Sequence, residues 1–160
     1  MPTEPSTLPT RRIDLPDPAA TDRLAAALAR RARIGDVIAL AGDLGAGKTS
    51  FARAFIAARG GTEEVPSPTF ALVQTYELPD GPVWHFDLYR LARPDDALEL
   101  GIDDAFAEGI SLTEWPDRLG ALLPARRLAL TLAFVEDPLA RVARLDPGGD
   151  WPARLADLDV

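Results

Sequence analysis

The chain has a single lysine, Lys48, and it stands in Gly42-Asp43-Leu44-Gly45-Ala46-Gly47-Lys48-Thr49; the other sixteen basic residues are arginines. The spacing is G-x-x-x-x-G-K-[ST], a phosphate-binding loop. A triphosphate carries several negative charges that must be gripped in a fixed direction. Backbone N–H groups at a helix N-terminus do this, aided by the helix dipole. Glycines at 42, 45 and 47 let the backbone turn sharply and approach the phosphates. Lys48 would then reach the β- and γ-phosphates and Thr49 would offer its hydroxyl to Mg²⁺. The implied substrate is a nucleoside triphosphate with Mg²⁺.

Such a site also needs a carboxylate at the end of a neighbouring apolar strand. Two positions fit. Asp87 closes Val83-Trp84-His85-Phe86-Asp87, and Glu114 closes Ile110-Ser111-Leu112-Thr113-Glu114. Either could hold Mg²⁺, directly or through water, or orient the attacking water; alternatively each merely caps the segment that follows. His85 is the only histidine and reads as structural, because one histidine makes no metal site. Trp115 either stacks on a base or packs. Asp95, Asp96, Asp103 and Asp104 read as helix-start and surface charges. The guanine-reading motif of GTPases, N/T-K-x-D, is excluded: the chain has no asparagine and its lysine is already used. Adenine is the expected base.

The elements that must position these groups follow from pattern. Arg11 to Leu15 reads as a short strand. Asp17 then Pro18 is a helix start, with a capping carboxylate and a proline at the first helical position. That helix is expected to run to about Arg33, with Leu24, Ala27, Leu28 and Ala32 on one face. Val37 to Ala41 is an unbroken apolar run, as in a strand covered on both faces. A helix from Lys48 to about Arg59 follows the loop, and Gly60-Gly61 stops it. Val65 to Phe70, with two prolines, is too irregular for an element interior. Ala71 to Glu77 and Val83 to Asp87 read as strands joined by hairpin turn chemistry at Leu78 to Pro82. Asp95 to Leu100 and Ile102 to Ala107 read as short helices, and Ile110 to Thr113 as a strand. Arg127 to Val135 and Arg141 to Asp146 form an expected antiparallel pair around Asp137-Pro138, and Trp151 to Leu158 a loose helix. The expected architecture is a three-layer α/β domain of P-loop NTPase type with a mixed parallel and antiparallel sheet. Residues 1–10 are expected as a flexible lead-in, 11–160 as one domain, and the tail from about 147 as loosely held.

Bulk properties narrow the function class. Of 160 residues, 47% are apolar and 26% charged, as in soluble globular domains. The net charge of −8 argues against a protein that grips DNA or RNA by neutralising phosphates. There is no cysteine, hence no disulfide or thiolate metal site. The N-terminal residues lack the apolar core of a secretory signal, and no apolar run reaches membrane-spanning length. A cytoplasmic protein is expected, with no membrane partner.

Five segments then converge in order and spacing: the phosphate loop, Ser67-Pro68-Thr69-Phe70, His85-Phe86-Asp87-Leu88-Tyr89-Arg90, Glu99-Leu100-Gly101 and Glu114-Trp115-Pro116. Together they closely resemble the TsaE family, bacterial ATPases of tRNA threonylcarbamoyladenosine biosynthesis, over about Leu15 to Arg144. The resemblance implies a small Mg²⁺-dependent ATPase that works with two partner proteins, TsaB and TsaD. TsaD transfers the threonylcarbamoyl group to adenosine 37 of ANN-decoding tRNAs, so tRNA is met only indirectly. The resemblance further implies that Gly45, Ala46, Gly47, Lys48, Thr49 and Ser50 bind the phosphates, and that Thr49 and Glu114 are Mg²⁺ ligands. Asp87 would lie near the γ-phosphate as an outer metal or water-positioning group, acting with Lys48 in catalysis. Thr69 resembles a switch threonine that senses the γ-phosphate, and Trp115 would sit beside the nucleotide. Leu15-Pro16-Asp17 and Asp117 are further pocket contacts by the same likeness. Position 50 is serine where many relatives carry threonine, which keeps the hydroxyl.

Two other readings share the loop: a small-molecule kinase, with Arg90 or Arg93 as a lid arginine, and a non-hydrolysing nucleotide-binding adaptor. Phosphate transferred to an acceptor other than water marks the first. ATP turnover indifferent to loss of both Asp87 and Glu114 marks the second. For the ATPase, Lys48→Ala is expected to abolish productive triphosphate binding. Unchanged ATP affinity and turnover in that variant, measured by calorimetry and phosphate release, overturn the assignment.

Overall fold

The sheet is assembled around the strand that delivers the loop from Gly42 to Thr49. The computed structural model describes residues 10–61 and 72–159. In chain order the elements are β1 (Arg11–Leu15), α1 (Pro18–Arg31), β2 (Val37–Ala41), α2 (Lys48–Ala58), β3 (Val73–Leu78), β4 (Gly81–Asp87), α3 (Asp96–Glu99), α4 (Ile102–Glu108), β5 (Ile110–Glu114), a 3-10 segment (Pro116–Leu122), β6 (Leu128–Phe134), β7 (Arg141–Pro147) and α5 (Trp151–Arg154). The seven strands form one sheet in the order β1-β7-β6-β2-β5-β4-β3. The central strands β6, β2, β5 and β4 run parallel, whereas β3, β7 and β1 join antiparallel. The sheet is therefore mixed, as the sequence pattern predicts.

Strand alternation sorts side chains onto two faces. On one face Leu24 and Leu28 of α1 and Phe51 and Phe55 of α2 pack with Ile38, Leu40, Val83 and Leu112. On the other, Phe86 and Trp84 of β4 meet Ile102 and Ala105 of α4 and Leu119 of the 3-10 segment. Helices thus cover both faces, which explains why Val37 to Leu40 are all buried. Each fully buried Leu or Phe contributes about 2 kcal/mol, so packing rather than helix propensity holds α1 and α2 in place.

Boundaries shift for local reasons. Helix α1 starts as expected, with the Asp17 carboxylate accepting from Ala20 N–H at 2.9 Å. It ends at Arg31, two residues early, because Ala32 turns extended. The segment after β5 is a 3-10 run that the sequence pattern does not reveal, entered through Trp115 in left-handed backbone conformation (φ 59°). The lead-in over residues 1–9 and the Val65–Phe70 segment, Thr69 included, lie outside the described residues.

The tail expected to be loosely held is instead packed. Trp151, Leu155 and Leu158 are buried in the main core. Helix α5 is a single turn and ends at Arg154, short of the expected Leu158. What secures it is charge as well as apolar area. The Arg154 guanidinium bonds Asp36 in bidentate fashion, at 2.6 and 2.8 Å, and also Asp150 at 2.6 Å. Arg11 and Arg31 donate to the tail carbonyls of Leu155 and Arg154. Asp36 immediately precedes β2, so the tail braces the base of the strand that carries the loop from Gly42 to Thr49.

Arg154→Ala should therefore cost about 3 kcal/mol, because it strands the Asp36 carboxylate. Arg12→Ala, whose exposed pair with Asp14 sits in solvent, should cost no more than about 0.5 kcal/mol. Urea unfolding of both variants checks this; equal small losses would show the tail to be dispensable.

Candidate functional site

Three parallel strands end at one level and set the site. β4 and β5 pair with Asp87 opposite Glu114, and β5 and β2 pair with Glu114 opposite Leu40. Two carboxylates therefore stand on adjacent strands at the edge where the loop leaves β2. Period-two alternation puts His85, Asp87, Leu112 and Glu114 on the face toward α2.

The loop's glycines answer to specific constraints. A Cβ at Gly42 would collide with the Leu132 carbonyl oxygen. Gly47 is the N-cap of α2 with φ 109°, a left-handed conformation costly for any other residue. From this turn Lys48 folds back, its ammonium donating to the carbonyls of Gly42 and Asp43. The Trp115 ring centroid lies 4.0 Å from Nζ, a cation–π contact. Burial lowers the Lys48 pKa from its ordinary value, while Glu114, Asp87 and Asp43 pull it upward. Positive charge is thus held in a poorly solvated spot where an anion would be welcome.

Glu114 is buried and fully engaged. Thr49 Oγ1 donates to both of its carboxylate oxygens, at 3.1 and 3.0 Å. His85, itself completely buried, lies with Nε2 2.6 Å from Glu114 Oε2. Among the described residues His85 Nδ1 has no partner, and a ring proton on Nε2 meets an acceptor in Glu114 Oε2. Asp87 is buried too, and its Oδ1 accepts from Tyr89 N–H at 3.1 Å.

These groups open on a cleft of about 420 Å³ lined by Leu44, Gly45, Gly47, Lys48, Thr49, Ser50, Asp87, Tyr89, Arg90, Glu114 and Trp115. Of the residues expected from sequence, Gly45, Gly47, Lys48, Thr49, Ser50, Asp87, Glu114 and Trp115 meet there. Ala46 belongs to the loop, but its side chain points into the core. Asp117 is exposed on the 3-10 segment and does not line the cleft. Leu15 is buried in β1 and Asp17 is spent on capping α1. A second hollow of about 200 Å³ lies on the other side of the loop, where Thr21, Ser50, Pro138 and Leu139 meet Gly45 to Gly47.

Several participants escape sequence reasoning. His85 reads as structural, yet it holds Glu114. Tyr89 packs on Trp115 at 4.9 Å between ring centroids, and the H-F-D-L-Y-R run was the available signal. Arg141 reaches the loop from β7 with no local motif to announce it.

The donor set suits a hard divalent cation. Thr49 and Glu114 present only oxygen, which matches Mg²⁺, an ion that typically takes one or two protein ligands and completes its shell with phosphates and water. Among the described residues no group of three or more His, Asp or Glu could cage a metal alone, so a bound Mg²⁺ would have to share its shell with the nucleotide.

Comparison with known proteins places the chain among relatives. Residues 15–142 match the family model described as threonylcarbamoyl adenosine biosynthesis protein TsaE. The tRNA threonylcarbamoyladenosine biosynthesis protein TsaE of Bacillus subtilis is 39% identical over 124 residues, 76% of this chain and 76% of the relative. Its namesake from Rickettsia bellii is 37% identical over 118 residues, 73% of this chain and 82% of the relative. The crystal structure of YdiB from Bacillus subtilis superposes with a TM-score of 0.81 at 28% identity, covering 96% of this chain and 95% of that one. The family model matched over most of the chain, and relatives 37% and 39% identical over about three quarters of it, show that this chain belongs to the TsaE family.

Proposed function

We propose that the chain is a Mg²⁺-dependent ATPase serving tRNA threonylcarbamoyladenosine biosynthesis, and that its ATP cycle acts as a switch on a complex of TsaB and TsaD. The observation that carries the ATPase reading is the convergence of Lys48, Thr49 and Glu114 on one cleft, with Asp87 in register beside them. The family and the names of its members support the pathway.

In this reading the triphosphate lies along the loop with its terminal phosphates at the α2 N-terminus. The Lys48 ammonium leaves its own loop carbonyls and turns to the phosphate oxygens, which offer a stronger charged acceptor. Thr49 Oγ1 and the Glu114 carboxylate would hold Mg²⁺, which supplies charge neutralisation for the leaving phosphates. His85 keeps Glu114 aimed at Thr49, so the ligand pair is preformed. Asp87, one strand over, would orient water against the terminal phosphate. Catalysis of this kind is mostly positioning and electrostatics. A site open on one side suits slow turnover that a partner completes.

Glu114→Gln should lower turnover about a hundredfold, because the amide retains a partner for His85 but loses the charge. Asp87→Asn keeps the acceptor for Tyr89 N–H; it should lower kcat while ATP affinity, read by calorimetry, stays near wild type. Turnover unchanged in both variants would make the carboxylates structural.

For the switch, phosphate release by the isolated chain should be weak and rise when TsaB and TsaD from the same organism are added. Vigorous hydrolysis that ignores them counts against the switch, and phosphate found on another acceptor would mark a kinase.

A further inference from the structure

We propose that Arg141 is a positioning residue for phosphate binding, holding two peptide planes of the loop in the orientation that leaves the Gly47 N–H turned toward the anion. The proposal rests on the nucleotide-binding reading of the cleft.

Arg141 opens β7, far from the loop in sequence. Its Nε donates to the Ala46 carbonyl at 3.2 Å and its Nη2 to the Gly45 carbonyl at 3.3 Å. Its Nη1 donates to Pro138 and Ala140 of its own turn, at 2.8 and 2.7 Å. The guanidinium carbon lies 4.4 Å from the Phe134 ring centroid. The planar fork is thus fixed by its own hairpin on one side and spends its other donors on the loop. Among the described residues its partners are carbonyls, not a carboxylate, so the guanidinium charge is not cancelled by an ion pair.

The consequence follows from peptide geometry. In a trans peptide the C=O and N–H point in opposite directions. Anchoring the Ala46 carbonyl against Arg141 turns the Gly47 N–H the other way. The next plane back is pinned at both ends: Gly45 C=O accepts from Arg141, while Ala46 N–H donates to Asp43 O at 3.0 Å. Both planes adjoin glycines with positive φ, 81° at Gly45 and 109° at Gly47. Glycine allows other peptide orientations at little steric cost, and a flipped plane would aim a carbonyl at the phosphate. Arg141 removes that freedom, and its charge strengthens the opposed Gly47 N–H as a donor.

A rival role is direct contact with the nucleoside, since Arg141 also borders the hollow lined by Ser50, Pro138 and Leu139. Calorimetry on the full chain separates the two. Wild type, R141Q, R141A and R141K are each titrated with ATP and with inorganic tripolyphosphate, with Mg²⁺ present and melting temperatures recorded. Positioning through the loop predicts that R141Q and R141A lose roughly tenfold or more for both ligands, by similar factors. R141K should recover only part, since an ammonium cannot meet two carbonyls with a planar fork. Loss confined to ATP would assign Arg141 to the nucleoside and overturn the proposal. Unchanged affinity for both ligands would overturn it as well, as would full recovery in R141K, which carries the test if R141A fails to fold. Failure of wild type to bind either ligand would instead remove the reading of the cleft on which the proposal stands.

Discussion

The Glu114 carboxylate ties the site together. It accepts from Thr49 on the first turn of α2 and from His85 on β4, while its own backbone belongs to β5. Three segments distant in sequence therefore meet at one buried charge. A carboxylate with 3% exposure is tolerated only when its oxygens are satisfied. Both of its oxygens accept hydrogen bonds here, so the burial that would penalise a lone carboxylate instead fixes its direction. Parallel pairing of β2, β5 and β4 makes this geometry unavoidable: once Asp87 lies opposite Glu114, the diagonal neighbour on the same face is His85.

The same logic explains the strain beside it. Trp115 adopts a left-handed backbone conformation directly after Glu114, which a bulky residue does not take without compensation. Its ring rests over the Lys48 ammonium and against Tyr89. Those contacts cover one wall of the cleft and shield Lys48 from water. Solvent exclusion lowers the lysine pKa and strengthens any later interaction with phosphate. Local strain, aromatic cover and a restrained cation belong to one arrangement.

The loop is also braced from outside the cleft. Asp36, at the base of β2, is clamped by Arg154 from the C-terminal turn. Gly45 and Ala46, beyond its far end, are held by Arg141. Two arginines from the last strand and the last helix thus support the strand and loop at opposite ends. The antiparallel β6–β7–β1 extension, which adds no lining residue to the cleft, carries one of these arginines and packs the turn that holds the other.

What the sequence determined alone was local. G-x-x-x-x-G-K-[ST] names a phosphate loop because spacing within eight residues dictates its chemistry. Unbroken apolar runs marked the covered strands, and Asp17-Pro18 marked a helix start, since capping and burial are short-range effects. Asp87 and Glu114 were recognisable as strand-end carboxylates. Their pairing was not, because register between strands depends on contacts no local pattern records. His85 looked structural for want of a second histidine, and only the sheet brought it to Glu114. The 3-10 segment after Trp115 was illegible because a non-glycine residue in left-handed conformation contradicts local preference. The tail read as loosely held, whereas tertiary packing of Trp151 and the Arg154–Asp36 pair decided otherwise. Arg141 was one arginine of sixteen until β7 set it against the phosphate loop. Residue chemistry and short spacing were written in the chain; which charged group meets which was settled by strand order and register, through which distant residues become neighbours.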